Sequence, residues 1–308
     1  MSELSVGVLP ESNPRVEEAV RGSGGRVVPV EDAERIDGLV VWFGTDPEAL
    51  ASTLDAHPEV SWVQLPSAGI EKYAESLRTH PELAWTSAKG AYAEPVAEHA
   101  LALTLGLLRL LPERARATSW GEVAGTSLYG LDVVVIGAGG VALEIVRLVK
   151  TFRATVTVVR RTDAAAEGAD RTVTSDRFAE VLPSADVVIV AAALTDGTRR
   201  LLDAPALALL KPTAVVVNIA RGGLIDTDAL VAALDGGRLA GAALDVTDPE
   251  PLPDGHPLWS EPRALITPHT ADTPAMIEPL LAARLGRNVA ARLAGTPLEG
   301  PVDPAAGY

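Results

Sequence analysis

The chain has 308 residues, enough for about two domains, and carries 26 lysines and arginines against 41 aspartates and glutamates, a formal charge of −15. That field repels phosphate backbones and anionic lipid, so neither nucleic acid nor a membrane surface is an expected partner. Cysteine is absent, which excludes disulfides, thiolate metal sites and cysteine nucleophiles, while 47% hydrophobic residues suffice for a sizeable core. Strand-like runs fall at 5–9, 38–42 and 61–65, with helical patterns at 14–21 and 47–57 and a further short strand at 84–87. From 93 to about 119 the chain reads as one long helix, rich in Ala and Leu, with Pro95 near its start where proline is tolerated.

Beyond 121–130 the alternation becomes regular. Strands are predicted at 131–136, 155–159, 186–191, 214–219, 240–246 and 264–267, and helices at 141–152, 176–182, 204–210 and 226–235. Six strands joined by crossovers predict a doubly wound parallel sheet. The final helical stretch, 274–293, is too small for a domain and is expected to return to the N-terminal part. Residues 1–94 and 274–308 would then form one discontinuous α/β domain, with a dinucleotide-binding domain, 95–273, inserted in it. The opening MSELSVGVLP lacks a basic region followed by an apolar run, so no secretory signal is expected. The apolar stretch 96–111 is interrupted by Glu98, His99 and Arg109 and is too short for a membrane span. A cytoplasmic protein is the expectation.

The predicted strand 131–136 runs into Gly137-Ala138-Gly139-Gly140-Val141-Ala142, which opens a helix. In this G-x-G-x-x-A pattern Gly137 permits a tight turn, Gly139 lets backbone approach a pyrophosphate, and Ala142 lets the helix pack closely on the strand. The helix N-terminus then faces the phosphates. NAD-binding units place an acid about 20 residues on, at the end of the second strand, to bond the ribose 2′-hydroxyl. Here that place holds Arg160-Arg161-Thr162. Guanidinium groups bond a 2′-phosphate that a carboxylate would repel, so NADP(H) is favoured over NAD(H).

Ligands of such sheets sit beyond the carboxyl ends of the strands. Three late strands are followed by Ala220-Arg221-Gly222-Gly223, by Thr247-Asp248-Pro249-Glu250-Pro251 and by Pro268-His269-Thr270. Hydride transfer to a carbonyl needs a cation to hold and polarise a 2-oxo acid, which suits Arg221, and a proton donor for the developing alkoxide, which suits His269. A carboxylate beside the imidazole fixes its tautomer and orientation, and Glu250 suits that role. His57, His80 and His256 each precede a proline in a predicted turn, and His99 lies in the long helix, so these four are read as structural. Asp245, at a strand end, could face the cofactor's nicotinamide. No group of histidines and acids has metal-ligand spacing, so no metal is expected.

With these residues in place, the chain resembles the D-isomer-specific 2-hydroxyacid dehydrogenase family over most of its length. The likeness rests on Ala185-Asp186-Val187-Val188 leading to Leu194-Thr195-Asp196-Gly197-Thr198, and on Lys211-Pro212-Thr213-Ala214 leading to Asn218-Ile219-Ala220-Arg221-Gly222. It continues through Gly241-Ala242-Ala243-Leu244-Asp245-Val246, Glu250-Pro251-Leu252-Pro253, His256-Pro257-Leu258-Trp259 and Thr267-Pro268-His269. Earlier, Ser67-Ala68-Gly69-Ile70 resembles the family's substrate-carboxylate loop, and Val96-Ala97-Glu98-His99 its interdomain helix. The resemblance implies a Rossmann cofactor domain inserted into a smaller flavodoxin-like substrate domain. It also implies a homodimer whose contacts come from the long helix and residues 120–130.

By the same resemblance Arg221 binds the substrate, His269 is the acid/base with Glu250 as partner, and amides near Ala68 and Gly69 hold the substrate carboxylate. The cofactor would meet Gly137, Ala138, Gly139, Gly140, Val141, Arg160, Arg161, Thr162, Ala192, Ala193, Thr198, Ile219, Ala220 and Asp245. The departures are Arg160 in place of the usual acid, as in the family's NADPH-preferring glyoxylate and hydroxypyruvate reductases, and Ala193 in place of a proline. No regulatory domain is expected after residue 308, unlike the long phosphoglycerate dehydrogenases. The rival expectation is a non-catalytic NAD(P) sensor on the same fold, similar to the family's corepressors.

Overall fold

The computed structural model describes residues 3–31 and 33–303. It divides into two compact units, Met1–Tyr92 with Thr273–Tyr308, and Ala93–Asp272. These divisions fall two residues and one residue before the sequence-based boundaries. Of the first domain assignment, residues 1, 2, 32 and 304–308 lie outside the described residues.

The first unit contains β1 (Leu4–Leu9), α1 (Pro14–Gly22), β2 (Gly25–Val27), β3 (Gly38–Val41), α2 (Pro47–Ala56), β4 (Trp62–Gln64), α3 (Ala74–Thr79) and β5 (Ala84–Thr86). Its strands pair in parallel in the order β2-β1-β3-β4-β5, the flavodoxin-like order. Helices cover both faces, so strands such as Val6–Leu9 are buried throughout and read as unbroken apolar runs. The helix starts are written locally. Asn13 caps α1 by accepting from the amides of Arg15 and Val16, Asp46 caps α2 by accepting from Glu48, and each is followed by a proline. Sequence reasoning missed β2, a three-residue edge strand with an exposed arginine at its centre.

The second unit opens with α4 (Ala93–Leu108) and α5 (Leu111–Arg116), where a single helix was expected. The break follows from Pro112, which has no amide to give Leu108 and whose ring would strike that carbonyl. Leu110 turns left-handed at φ 56°, and the Leu108 carbonyl accepts from the amide of Thr126 instead, at 2.7 Å. Residues 117–127 are exposed, including Trp120 at 95% and Val123 at 100%.

There follow β6 (Asp132–Ile136), α6 (Gly140–Lys150), β7 (Thr155–Arg160), β8 (Arg171–Thr174), β9 (Val187–Val190), α7 (Ala204–Ala208), β10 (Val215–Asn218), α8 (Thr227–Asp235), β11 (Gly241–Leu244), α9 (Pro257–Ser260) and β12 (Ala264–Ile266). All pairings are parallel, in the order β12-β11-β10-β9-β6-β7-β8. This is the Rossmann arrangement, with the direction of winding reversing at β6. The helix expected at 176–182 is instead two short 3₁₀ segments, Ser175–Glu180 and Leu182–Ser184, with Pro183 in the second. Strand β8 was not foreseen because its four residues, RTVT, are an edge segment with a single buried side chain. The chain then re-enters the first unit as α10 (Pro274–Ala294), which buries Ile277, Leu281, Leu285 and Val289, spaced four apart, and packs on α1.

Candidate active site

At the reversal point, β6 ends in the glycine loop. Gly137 has φ 120° and donates its amide to the Val159 carbonyl at 2.8 Å. A Cβ there would lie 2.4 Å from the Ala191 carbonyl oxygen, so glycine is obligatory. Gly139 is the N-cap of α6 and supplies no side-chain cap, while a Cβ built on it meets nothing within 4 Å. The space beside Gly139, at the N-terminus of α6, is thus clear, which fits a dinucleotide pyrophosphate. Ala142 is fully buried where the helix leans on the sheet.

Around this loop stand the other residues expected to meet a cofactor. Half-buried Arg160 ends β7 and donates to the Ala164 carbonyl at 3.2 Å, with Arg161 and Thr162 exposed beside it. Beyond β9, the Thr198 hydroxyl donates to the Ala193 carbonyl at 2.8 Å and accepts from the Thr195 amide at 2.7 Å, bracing the turn that also carries Ala192. Val141 lies in the first turn of α6.

The catalytic candidates lie beyond β10, β11 and β12. Buried Asn218 accepts from the Ala220 amide at 3.0 Å and donates to the Arg221 carbonyl at 2.9 Å, fixing the turn that holds Ile219, Ala220 and Arg221. The guanidinium of Arg221 donates to the Ala220 carbonyl at 2.7 Å. A Cβ on Gly222 would fall 1.9 Å from the Thr247 carbonyl oxygen, so the turns after β10 and β11 touch backbone to backbone. Glu250 then reaches His269, with Oε1 2.6 Å from Nδ1.

His269 is held at φ 51°, a region β-carbon-bearing residues rarely adopt. Its amide is bonded to the carbonyls of Asp245 (2.8 Å) and Thr267 (3.0 Å). The side chain of Asp245, expected to face a cofactor, is instead turned under this segment and is 1% exposed. Its Oδ1 accepts from the Thr267 hydroxyl at 2.6 Å and the Thr270 amide at 2.9 Å, and Oδ2 accepts from the Ala271 amide at 3.1 Å. His99 approaches from α4, with Nε2 3.0 Å from the Thr267 hydroxyl and 3.3 Å from Asp245 Oδ1. Burial pushes the Asp245 carboxyl up, but the bonds from His99, Thr267 and the two amides outweigh it and hold the group at about 2. Burial raises the carboxyl of neighbouring Asp272, which the charges of His269 and Arg221 pull down and that of Asp245 pushes up.

Sequence reasoning set His99 aside and did not single out Thr267, Asn218 or Asp272. A histidine one residue before the buried Ala100, on the inward side of α4, was the available signal for His99. In the first unit, Ala68 and Gly69 follow β4 in a turn closed by the Ser67 hydroxyl, which donates to the Gly69 carbonyl at 2.5 Å. The Tyr92 hydroxyl pins that turn through the Pro66 carbonyl at 2.5 Å. Among the described residues no group of three or more His, Cys, Asp or Glu is arranged to hold a metal ion, and no helix is long and apolar enough to cross a membrane.

Comparison with known proteins identifies the family. Residues 100–271 match the sequence model of the D-isomer specific 2-hydroxyacid dehydrogenase, NAD binding domain. An uncharacterized protein of Corynebacterium melassecola, from the proB 3′ region, is 38% identical over 291 residues, covering 92% of this chain and 94% of that protein. The D-3-phosphoglycerate dehydrogenase of Bacillus subtilis is 34% identical over 207 residues, 66% of this chain, which spans only 39% of that longer protein. Among solved structures, an NADPH-dependent glyoxylate/hydroxypyruvate reductase of Sinorhizobium meliloti, in complex with NADP and sulfate, superposes with a TM-score of 0.80. It is 25% identical, with all of both chains covered. The chain belongs to the D-isomer specific 2-hydroxyacid dehydrogenases, NAD(P)-dependent oxidoreductases acting on CH–OH groups.

Proposed function

We propose that the protein is an NADP(H)-dependent reductase of small 2-oxo acids of the glyoxylate and hydroxypyruvate type. The observation that carries this reading is the 2.6 Å bond between Glu250 Oε1 and His269 Nδ1. Because Nδ1–H donates its hydrogen bond to the Glu250 carboxylate, Nε2 is the ring atom left to give a proton to a substrate oxygen and to take it back in the reverse direction. Arg221 holds the 2-oxo acid and polarises its carbonyl. The amides of Ala68 and Gly69, which donate to no group of the chain among the described residues, hold the substrate carboxylate. The first unit is thus the substrate domain and the second the dinucleotide domain.

The dinucleotide, when bound, supplies the hydride that reaches the carbonyl carbon. The chain holds it through the amides of 137–141, the turns carrying Ala192, Ala193, Ile219 and Ala220, and the brace of Thr198. Arg160, Arg161 and Thr162, standing where an acid would select NAD, bind the 2′-phosphate. Asp245 serves the site by shaping the 267–271 turn. The exposed 117–127 segment, with Trp120 and Val123, supports a homodimer, and the acidic chain is assigned to the cytoplasm.

The test follows NADPH absorbance with glyoxylate, hydroxypyruvate and an aryl pyruvate, then repeats the panel with NADH. Decay with at least one acid, faster with NADPH, is expected. Tight NADPH binding without decay on any 2-oxo acid would overturn the reading in favour of a dinucleotide sensor.

A further inference from the structure

The polar cluster beneath His269 does more than fill space, and its outlying member is a residue that the family reading leaves without a task. Asp245 is an ionised carboxylate with 1% side-chain exposure. A buried charge persists only where donors compensate it. Three of its donors come from the segment around His269 itself: the Thr267 hydroxyl and the amides of Thr270 and Ala271. The fourth, His99, comes from α4, distant in sequence. The Asp245 carbonyl in turn accepts the amide of His269, so one residue grips the turn by both side chain and main chain.

The direction of each bond follows from the donors available. Thr267 has a single hydroxyl hydrogen, and the acceptor-only carboxylate 2.6 Å away takes it. Towards His99, Thr267 can therefore only accept, so Nε2 of His99 carries a proton and donates. That donation fixes the rotamer of Thr267 and partly neutralises Asp245. Both effects bear on a turn whose central residue sits at φ 51° and must be over-determined to stay there.

From this geometry we infer that His99 is a positioning residue for His269, acting through Thr267 and Asp245 to hold the imidazole where Glu250 can bond it. The inference rests on the reading of His269 as the acid/base. His99 itself touches neither substrate nor reacting atoms. A glutamine at 99 can place an N–H near the position of Nε2, whereas a leucine fills similar space with no donor.

The experiment compares His99→Leu and His99→Gln. Histidine-selective 15N NMR of the NADPH-bound protein, with His269 assigned by His269→Ala, reads the imidazole directly. The Leu variant is expected to move the His269 nitrogen resonances and the Gln variant to leave them near their wild-type positions. In glyoxylate reduction, the Leu variant should lose up to about 10²-fold in kcat, as displacement of a catalytic group by an ångström can cost. KM for NADPH should change by less than about twofold, and Gln should restore most of kcat. Unmoved His269 resonances in a folded Leu variant would overturn the inference. So would equal losses in Leu and Gln, since a packing role does not need the donor. An active His269→Ala protein would sink the acid/base reading instead, and the NMR comparison still decides whether His99 positions the ring.

Discussion

The carboxyl edge of the seven-stranded sheet carries two kinds of loop, made in opposite ways. Around β6 and β7 the chain leaves one side open: Gly137 makes a turn too tight for a Cβ, and Gly139 beyond it faces open space. Around β10, β11 and β12 the loops are tied by internal hydrogen bonds: Asn218 braces the Arg221 turn, and the Asp245 carboxylate accepts three donors from the turn of His269. One half is shaped to be completed by a ligand's phosphates, and the other is finished before any ligand arrives. Binding can tolerate a partner that supplies missing contacts, whereas proton transfer needs groups already in place.

The sharpest way to break this contrast is His269→Ala. It should cut kcat by about 10²–10⁴-fold while the dissociation constant for NADPH, measured by fluorescence titration, stays close to wild type. Next in size is the acid response of Asp245. Its carboxyl is depressed from 3.8 in the unfolded chain to about 2 in the folded one. The associated stability is therefore complete above the unfolded value and lost as pH falls through about 2, a contribution of about 2 kcal/mol. Chemical denaturation between pH 6 and 2 should show that loss in the wild type. Asp245→Asn should be less stable at neutral pH, because an amide nitrogen cannot accept from Ala271 or Thr270, and should show a smaller acid slope.

On the cofactor half, Arg160→Asp should move the NADPH-to-NADH ratio of kcat/KM toward NADH by roughly tenfold or more, the worth of a charge-assisted bond. An unchanged ratio would detach Arg160 from the ribose. The smallest effect belongs to Thr198→Val, which removes one donor and one acceptor from the turn at Ala193. It should cost about 1 kcal/mol in stability and raise KM for NADPH a few-fold without changing kcat.

The strands of both sheets were readable wherever helices cover both faces, because Val133–Ile136 or Val187–Val190 leave no polar position to blur the run. Two of the four edge strands escaped notice: Gly25–Val27 and Arg171–Thr174 are short and carry arginines, whereas the edge strands Ala84–Thr86 and Ala264–Ile266 carry none and were readable. The single long helix was an error of pattern over chemistry, since Pro112 marked its end. In the site, Arg221, Glu250 and His269 could be named because each follows the end of its own strand within a few residues. The role of Asp245 could not be read that way, as its direction is settled by Thr267, Thr270 and Ala271, more than twenty residues on. For His99 the sequence offered only its place on the inward side of α4, since its partner Thr267 is 168 residues away.

The meeting of Gly222 with the Thr247 carbonyl has a bearing on attempts to re-engineer the substrate. The clearance there is smaller than a methyl group, and both sides are main chain, so no rotamer change can relieve an added carbon. A library aimed at the Arg221 turn should therefore hold position 222 constant and draw its diversity from the exposed surface of the neighbouring loops. The gap acts as a mechanical stop, and the reach of the arginine is set by the thickness of a peptide plane.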